Sequence, residues 1–466
     1  MSCMSSNMLR YTFLFQRITG VSLVFTYHNY EINQSGILFN DYVLTTGGLV
    51  LPYVLSKKVP DVKDFSVKIS LEKRNRVISK TGYIAYVCNS DDLNNSMKQN
   101  DFGLDSIIIE SFSQFVIIEI NNTAKGNFSK IEMTLNPNEL NRGKDVLTVS
   151  TPFGNQMFLN CYSRGIVSKI VDKGMFITDS RLSPACEGGP IYIINGSIKL
   201  VGLVLTQLMV SNEYTGFNLC CNFYILYEAY CRHRGMHMIS PLLSIKKEEH
   251  PIHRVSDSVL PVKTPSLKGS CISLDGNGLL VTCSHVINYG NNTPVEVTFG
   301  GESYNAKILC CSSKDDILDL AFLQINPDTP LPSCTFYDKN PIKGEAVYVV
   351  GYKYFWDNSL QLVSKGTVLK HEEQGPIYTS CITHSGNSGG GMFEKDGKLM
   401  AIVCGILFEE NISTSHHCHN VGIPIKVMKK PIDAYIQTGD ISHLESLCKT
   451  KDLYLSTWHL FTRSKL

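Results

Sequence analysis

Two stretches of this 466-residue chain repeat each other at one constant offset, and that repeat limits the fold more than any other feature. Ser163-Arg164-Gly165-Ile166-Val167-Ser168-Lys169 lies opposite Ser364-Lys365-Gly366-Thr367-Val368-Leu369-Lys370. The run from Thr178 to Pro190 (TDSRLSPACEGGP) lies opposite Thr379 to Gly391 (TSCITHSGNSGGG). Gly165 to Gly366 and Glu187 to Ser388 both span 201 residues, so no net gap separates the two matches. Two copies of one domain in tandem follow. In each copy short apolar runs are separated by Gly, Asn and Asp, which predicts strands and an all-β fold.

The chemistry sits in the second copy. Thr383-His384-Ser385-Gly386-Asn387-Ser388-Gly389-Gly390-Gly391 sets a serine between glycines. Gly386 lets the chain turn so that its own N–H and that of Ser388 point into one space, as an oxyanion hole requires. Gly389 and Gly390 remove side chains that would obstruct a substrate. A plain Gly-Ser loop reads the same way, so the partners upstream decide. A nucleophilic serine needs a base, and the base needs an orienting carboxylate. His285 follows the apolar run Gly278-Leu279-Leu280-Val281, and Asp319 precedes Leu320-Ala321-Phe322-Leu323. The order His, Asp, Ser is that of the double β-barrel proteases. The contexts T-C-S-H-V, D-L-A-F-L and G-N-S-G-G resemble the chymotrypsin-like clan, and more closely its HtrA/Deg-type branch. The resemblance implies an all-β chain of two chymotrypsin-like double β-barrel domains in tandem, with His285, Asp319 and Ser388 as the triad.

The first copy keeps the frame without the chemistry. Leu44-Thr45-Thr46-Gly47-Gly48 lies opposite Val281-Thr282-Cys283-Ser284-His285, and Gln114-Phe115-Val116 opposite Asp319-Leu320-Ala321. The triad positions are then Gly48, Gln114 and Glu187, which supply no imidazole, no orienting carboxylate and no hydroxyl. Residues 1–235 read as a degenerate trypsin-like domain, 236–262 as a linker rich in charge and proline, 263–440 as the catalytic domain and 441–466 as a helical tail. The alternative for the first copy is an unrelated β-domain. About 32 residues are inserted between positions 48 and 114, because the same interval in the second copy is shorter. The polar run Glu72–Arg76 fits that insertion, and Asp91-Asp92-Leu93-Asn94-Asn95-Ser96 reads as a loop. In the tail, Pro431 fits the first turn of a helix, and Ser442-His443-Leu444-Glu445 matches a capping box.

Composition excludes several classes. A net charge of +1 gives no reason to expect nucleic acid or an anionic membrane as partner. No apolar run reaches the length of a membrane span. Sixteen cysteines include the neighbours Cys220-Cys221 and Cys310-Cys311, a pattern of reduced thiols rather than a stapled framework. His416-His417-Cys418-His419 reads as a loop, because four adjacent ligands do not converge easily on one ion. No metal or organic cofactor is expected.

The chain stops at Ser464-Lys465-Leu466, the address read by the peroxisomal import receptor. A degenerate trypsin-like half, an HtrA-like half and this terminus together resemble the family of peroxisomal leader-peptide-processing proteases. That resemblance implies a serine endopeptidase of the peroxisomal matrix. Its substrates would be the leader peptides of imported enzymes, including those of fatty-acid β-oxidation, and it would self-associate as a homo-oligomer. A catalytically silent protease-fold scaffold is the alternative, and an esterase would prefer a G-x-S-x-G elbow. Ile382, six residues before Ser388, takes the position at the base of the substrate pocket and predicts a small, uncharged preference.

Overall fold

The computed structural model of the protein describes residues 20–235 and 250–449, apart from 28–29, 40–41, 51–65, 74–75, 101, 121–131, 134–138, 173, 196, 211–212, 291, 356–357, 372–374 and 407–419. The histidine-rich run 416–419, Lys57-Lys58 and the terminal Ser464-Lys465-Leu466 therefore lie outside the described residues. The chain divides into two units, Met1–Glu248 and Glu249–Leu466.

The first unit begins with β1 (Gly20–Tyr27), β2 (Tyr30–Phe39), β3 (Tyr42–Thr46), β4 (Ser66–Lys73), β5 (Arg76–Asn89) and β6 (Gln114–Ile120). They close a barrel in the order β1-β2-β3-β6-β5-β4. Period-two patterning drives this closure: Val67, Ile69 and Leu71 of β4 point inward onto Leu23, Phe25 and Ile118. A second set follows: β7 (Glu132–Met133), β8 (Asp145–Ser150), β9 (Cys161–Ile170), β10 (Met175–Thr178), β11 (Pro190–Asn195), β12 (Ser197–Val210) and β13 (Glu213–Asn222). Pairing of β11 with both β8 and β12 closes six of these strands into a ring, with β7 parallel on the edge of β12. Its core includes Val167, Phe176, Ile191 and Val204.

The second unit repeats the plan. Its first barrel is β14 (Val259–Lys263), β15 (Lys268–Ser273), β16 (Leu279–Thr282), β17 (Val295–Phe299), β18 (Glu302–Cys311) and β19 (Ala321–Gln324), ordered β14-β15-β16-β19-β18-β17. Its second is β20 (Ala346–Phe355), β21 (Asn358–His371), β22 (Ile377–Thr379), β23 (Gly391–Phe393), β24 (Leu399–Ile406) and β25 (Asn420–Pro424), ordered β20-β21-β22-β25-β24-β23. Each ring has the connectivity of its counterpart in the first unit. The repeat holds at the level of single pairs: Val146 faces Gly165 as Val347 faces Gly366. Glycine is required at both, because a Cβ would lie 2.6 Å from the Ser180 nitrogen in one copy and 2.4 Å from the Cys381 nitrogen in the other. The fold is all-β, with two double-barrel units and few helices. None of the described cysteines is in a disulfide.

The turn Asp275-Gly276-Asn277-Gly278 joins β15 to β16 as its sequence predicts. The Asp275 carboxylate accepts from the N–H groups of Asn277 and Leu279, and Gly278 takes φ 94°. Asp396-Gly397 turns β23 into β24, with Gly397 at φ 89°.

Several expectations are corrected. Most of the extra chain of the first unit lies between β5 and β6, as α1 (Asp91–Asn100) and α2 (Ser106–Phe112), and the described residues of the polar run 72–76 end β4 and begin β5 in a hairpin longer than that of β17 and β18. Asp91–Ser96 is helix rather than loop. The two aspartates stabilise the positive N-terminal end, the Ser90 hydroxyl accepts from the Leu93 N–H, and Leu93 and Met97 are buried. The proposed linker 236–262 already contains α4 (Pro251–Ser256) and β14, after α3 (Phe223–Arg234). Pro251 is an initiator there, at the first helical position, and Pro261 sits just beyond the part of β14 that pairs with β17. In the tail, α5 runs over Ile425–Thr438, so Pro431 is inside the helix rather than in its first turn. The capping box before α6 (Ser442–Cys448) does not form. Ser442 donates its N–H to the Asp440 carboxylate, and Glu445 pairs with Lys449. The domain also passes residue 440, because Leu444, Leu447 and Cys448 of α6 are buried and the Cys448 thiol lies 3.5 Å from that of Cys310 on β18. Truncating Leu444 to alanine should therefore destabilise the second unit by about 2–5 kcal/mol, measurable as a lower urea midpoint. An unchanged midpoint would mean that α6 contributes nothing to that core.

Candidate active site

The turn after β16 presents the histidine. Thr282 ends the strand, and Ser284–Ile287 make one tight helical turn with Asn288 in the left-handed region at φ 57°. Asp319 lies two residues before β19, and the register Thr282 to Ala321 brings it beside that turn. Its two carboxylate oxygens serve one residue. Oδ1 accepts the backbone N–H of His285 at 3.0 Å, and Oδ2 accepts the ring Nδ1 at 2.5 Å. An ionised carboxylate is acceptor-only, so Nδ1 carries the proton and Nε2 is left as the basic nitrogen. Asp319 is 0% exposed and His285 9%, so the pair is sealed from competing water. A third donor reaches the carboxylate, the Cys404 thiol at 3.5 Å from Oδ2. Nothing in the motif spacing announced Cys404; only the pairing of β24 brings it there.

The serine loop is clamped by Ser270 of β15. Ser270 donates its N–H to the Ser388 carbonyl at 2.9 Å and its hydroxyl to the Gly386 carbonyl at 2.7 Å. The Asn387 side chain braces the loop from within, accepting the His384 N–H and donating to the Tyr352 carbonyl. Gly386 sits at φ 96° and Gly389 at φ 82°. A Cβ on Gly389 would lie 2.0 Å from the Ser270 carbonyl oxygen, so this glycine is dictated by close approach. Gly269 ties the two halves of the site together, since a Cβ there would touch both Val286, next to His285, and the Ser388 carbonyl. Ser388 itself is 4% exposed. Ile382 is buried and its carbonyl accepts the Ser364 hydroxyl. The neighbouring Thr383 hydroxyl is buried without a partner among the described residues.

The first unit reproduces the serine clamp bond for bond, without the Asn387 brace, whose place Cys186 takes. Ser35 donates its N–H to the Glu187 carbonyl at 2.9 Å and its hydroxyl to the Ala185 carbonyl at 2.8 Å. Thr45 and Thr282 each donate a hydroxyl to the clamping serine's carbonyl at 2.7 Å. The register Thr45 to Val116 sets Gln114 where Asp319 stands, and Gly48 is the second residue of its turn, as His285 is. A Cβ on Gly48 would come within 3.3 Å of the Phe112 ring, supplied by α2. Ala185 holds φ 71° where the other copy has glycine. The Glu187 carboxylate accepts the backbone N–H groups of Glu187 and Ala185, the counterparts of Ser388 and Gly386. The Glu187 carboxylate thus lies against the N–H groups of its own loop.

Comparison with known proteins agrees with this geometry. Residues 269–402 match the trypsin-like peptidase domain. The chain is also similar to the peroxisomal leader peptide-processing proteases of Homo sapiens and Mus musculus. It is 26% identical over 351 residues to the first and 27% over 352 to the second, covering 68% of this chain in each case. It spans 60% of the length of those curated relatives. Serine protease HTR4 of Rattus norvegicus is 31% identical over 147 residues, which are 30% of this chain and 29% of that protein. The peptidase match runs from β15 to the middle of β24, the span that carries His285, Asp319 and Ser388.

Burial raises the pKa of Glu187, and the two N–H groups offset that only in part. A carboxyl with a folded pKa above its unfolded value binds more protons when folded. Stability of the first unit should therefore fall as pH rises from the ordinary glutamate range through the folded value. Glu187→Gln should flatten that slope and raise the neutral-pH midpoint. Parallel pH–stability curves for the two proteins would refute the assignment.

Proposed function

We propose that the chain is a serine endopeptidase using His285, Asp319 and Ser388, and that the first unit is a degenerate copy without chemistry of its own. The observation that carries this reading is the Asp319 carboxylate spent on the backbone N–H and the ring Nδ1 of His285, which fixes the tautomer a general base needs. Nε2 of His285 takes the proton of Ser388 as its oxygen attacks a peptide carbonyl. The tetrahedral oxyanion is held by the N–H groups of Gly386 and Ser388, and Asp319 stabilises the imidazolium. His285 then returns the proton to the leaving amine, and water repeats the sequence on the acyl-enzyme.

The likeness to the peroxisomal leader peptide-processing proteases, joined to the terminal Ser464-Lys465-Leu466, supports a role in the peroxisomal matrix. There it would trim leader peptides from imported enzymes, among them those of fatty-acid β-oxidation, as a homo-oligomer delivered by the import receptor. Ile382 offers no carboxylate to offset the desolvation of a substrate Lys or Arg, so the side chain before the cut should be small and uncharged.

Ser388→Ala should lower peptide turnover by about 10⁶-fold and abolish labelling by a fluorophosphonate probe, with the fold intact. Unchanged cleavage or labelling in the variant would overturn the serine assignment and favour a scaffold. A peptide library varied at the residue before the cut checks specificity; preference for Arg or Lys there would contradict the role given to Ile382.

A further inference from the structure

Asp319 has neighbours that the hydrolytic mechanism does not call upon. Cys283, Asp319 and Cys404 are all buried, and their ligand atoms lie within 4.8 Å of one another. The Cys404 thiol is 3.5 Å from Asp319 Oδ2. Around a tetrahedral zinc, bonds of about 2.3 Å to sulfur and about 2.0–2.2 Å to oxygen put neighbouring ligand atoms roughly 3.5–3.8 Å apart. Small side-chain rotations therefore bring all three atoms to coordinating positions. The scaffold is rigid: Cys283 directly follows β16, Cys404 lies on β24, and the Cys283 thiol already reaches the Val403 carbonyl at 3.2 Å. Two sulfurs and one carboxylate select a soft, zinc-class ion over magnesium or calcium.

We propose that Cys283, Asp319 and Cys404 form a binding site for a zinc-class divalent cation whose occupancy silences the catalytic histidine. Asp319 Oδ2 is the oxygen that accepts His285 Nδ1. An ion bound there draws off the carboxylate charge and sets a cation near the ring, which opposes the imidazolium that catalysis must form. Binding breaks two S–H bonds, forms two sulfur–metal bonds and releases two protons to solvent, with no change in oxidation state. Cys404 carries its proton tightly at rest, because burial, then Cys283 and Asp319, raise its pKa. With all three ligands buried, the ion enters only as the site opens, so inhibition develops slowly. The silencing half of the proposal rests on the triad assigned above; the binding half does not.

The test uses the full, reduced, metal-free chain. Titration with cadmium should give a thiolate charge-transfer band saturating at the cluster, and X-ray absorption of the zinc form should show two sulfurs near ~2.3 Å. Cys283→Ala and Cys404→Ala should each weaken binding by about 10-fold or more, since even the loss of outer-sphere partners costs that much. Cys310→Ala, at the separate thiol pair with Cys448, should keep it. Zinc should suppress peptide cleavage with a lag, reversed by a chelator, and the ratio of rates with and without zinc, taken within each protein, should approach one in the two cluster variants. No band and no sulfur ligands in the wild-type chain overturn the site whether or not the variants fold, as does a band unchanged in both variants. An intact band with cleavage unaffected by zinc overturns the silencing. A chain that binds zinc through the cluster but cleaves nothing contradicts the protease reading, removes the silencing with it and leaves the ion site standing.

Discussion

The site depends on one serine that is not a nucleophile. Ser270 uses its N–H on the Ser388 carbonyl, its hydroxyl on the Gly386 carbonyl, and its carbonyl on the Thr282 hydroxyl, while its own oxygen accepts the Tyr352 N–H at 2.8 Å. These bonds stitch the histidine-bearing barrel to the serine-bearing barrel. They tie down the loop on both sides of Asn387. Such a loop, rich in glycine, would otherwise lose much conformational entropy on ordering. Because a buried polar atom left unpaired is costly, the four partners hold one another in register. The geometry of the candidate site here is a by-product of satisfying one buried side chain and its backbone.

The first unit separates frame from chemistry. Ser35 repeats the clamp, including the Thr151 N–H at 2.9 Å, around a loop that carries Glu187 in place of a serine. The same clamp in both units indicates that it is part of how each pair of barrels closes. What changed is local: a glutamate turned back onto two N–H groups, and an aromatic ring brought in by an added helix.

Much of this was legible in the sequence, and the misses have physical causes. The constant offset placed Glu187 opposite Ser388 because no loop length changed across that stretch, and the shared clamp confirms the pairing atom by atom. Asp275–Gly278 announced its hairpin because Asp and a left-handed Gly are the chemistry such a turn needs. Asp91–Ser96 misled because Asp and Asn favour both loops and the first turn of helices; the deciding facts, Leu93 and Met97 on one buried face, depend on what the helix packs against. Pro251 and Pro261 misled as breakers because each occupies a place where a missing N–H costs little. The Cys283–Asp319–Cys404 cluster was invisible because its members are far apart in the chain and meet only through strand pairing.

The position of Phe112 limits what position 48 can hold. Rewriting Gly48, Gln114 and Glu187 as histidine, aspartate and serine would restore the letters of a triad, yet a side chain at position 48 would run into a ring 3.3 Å from its first carbon. That ring rides on α2, itself packed through Ile109 and followed directly by β6. A side chain at position 48 would therefore need the Phe112 ring to yield by a few tenths of an ångström.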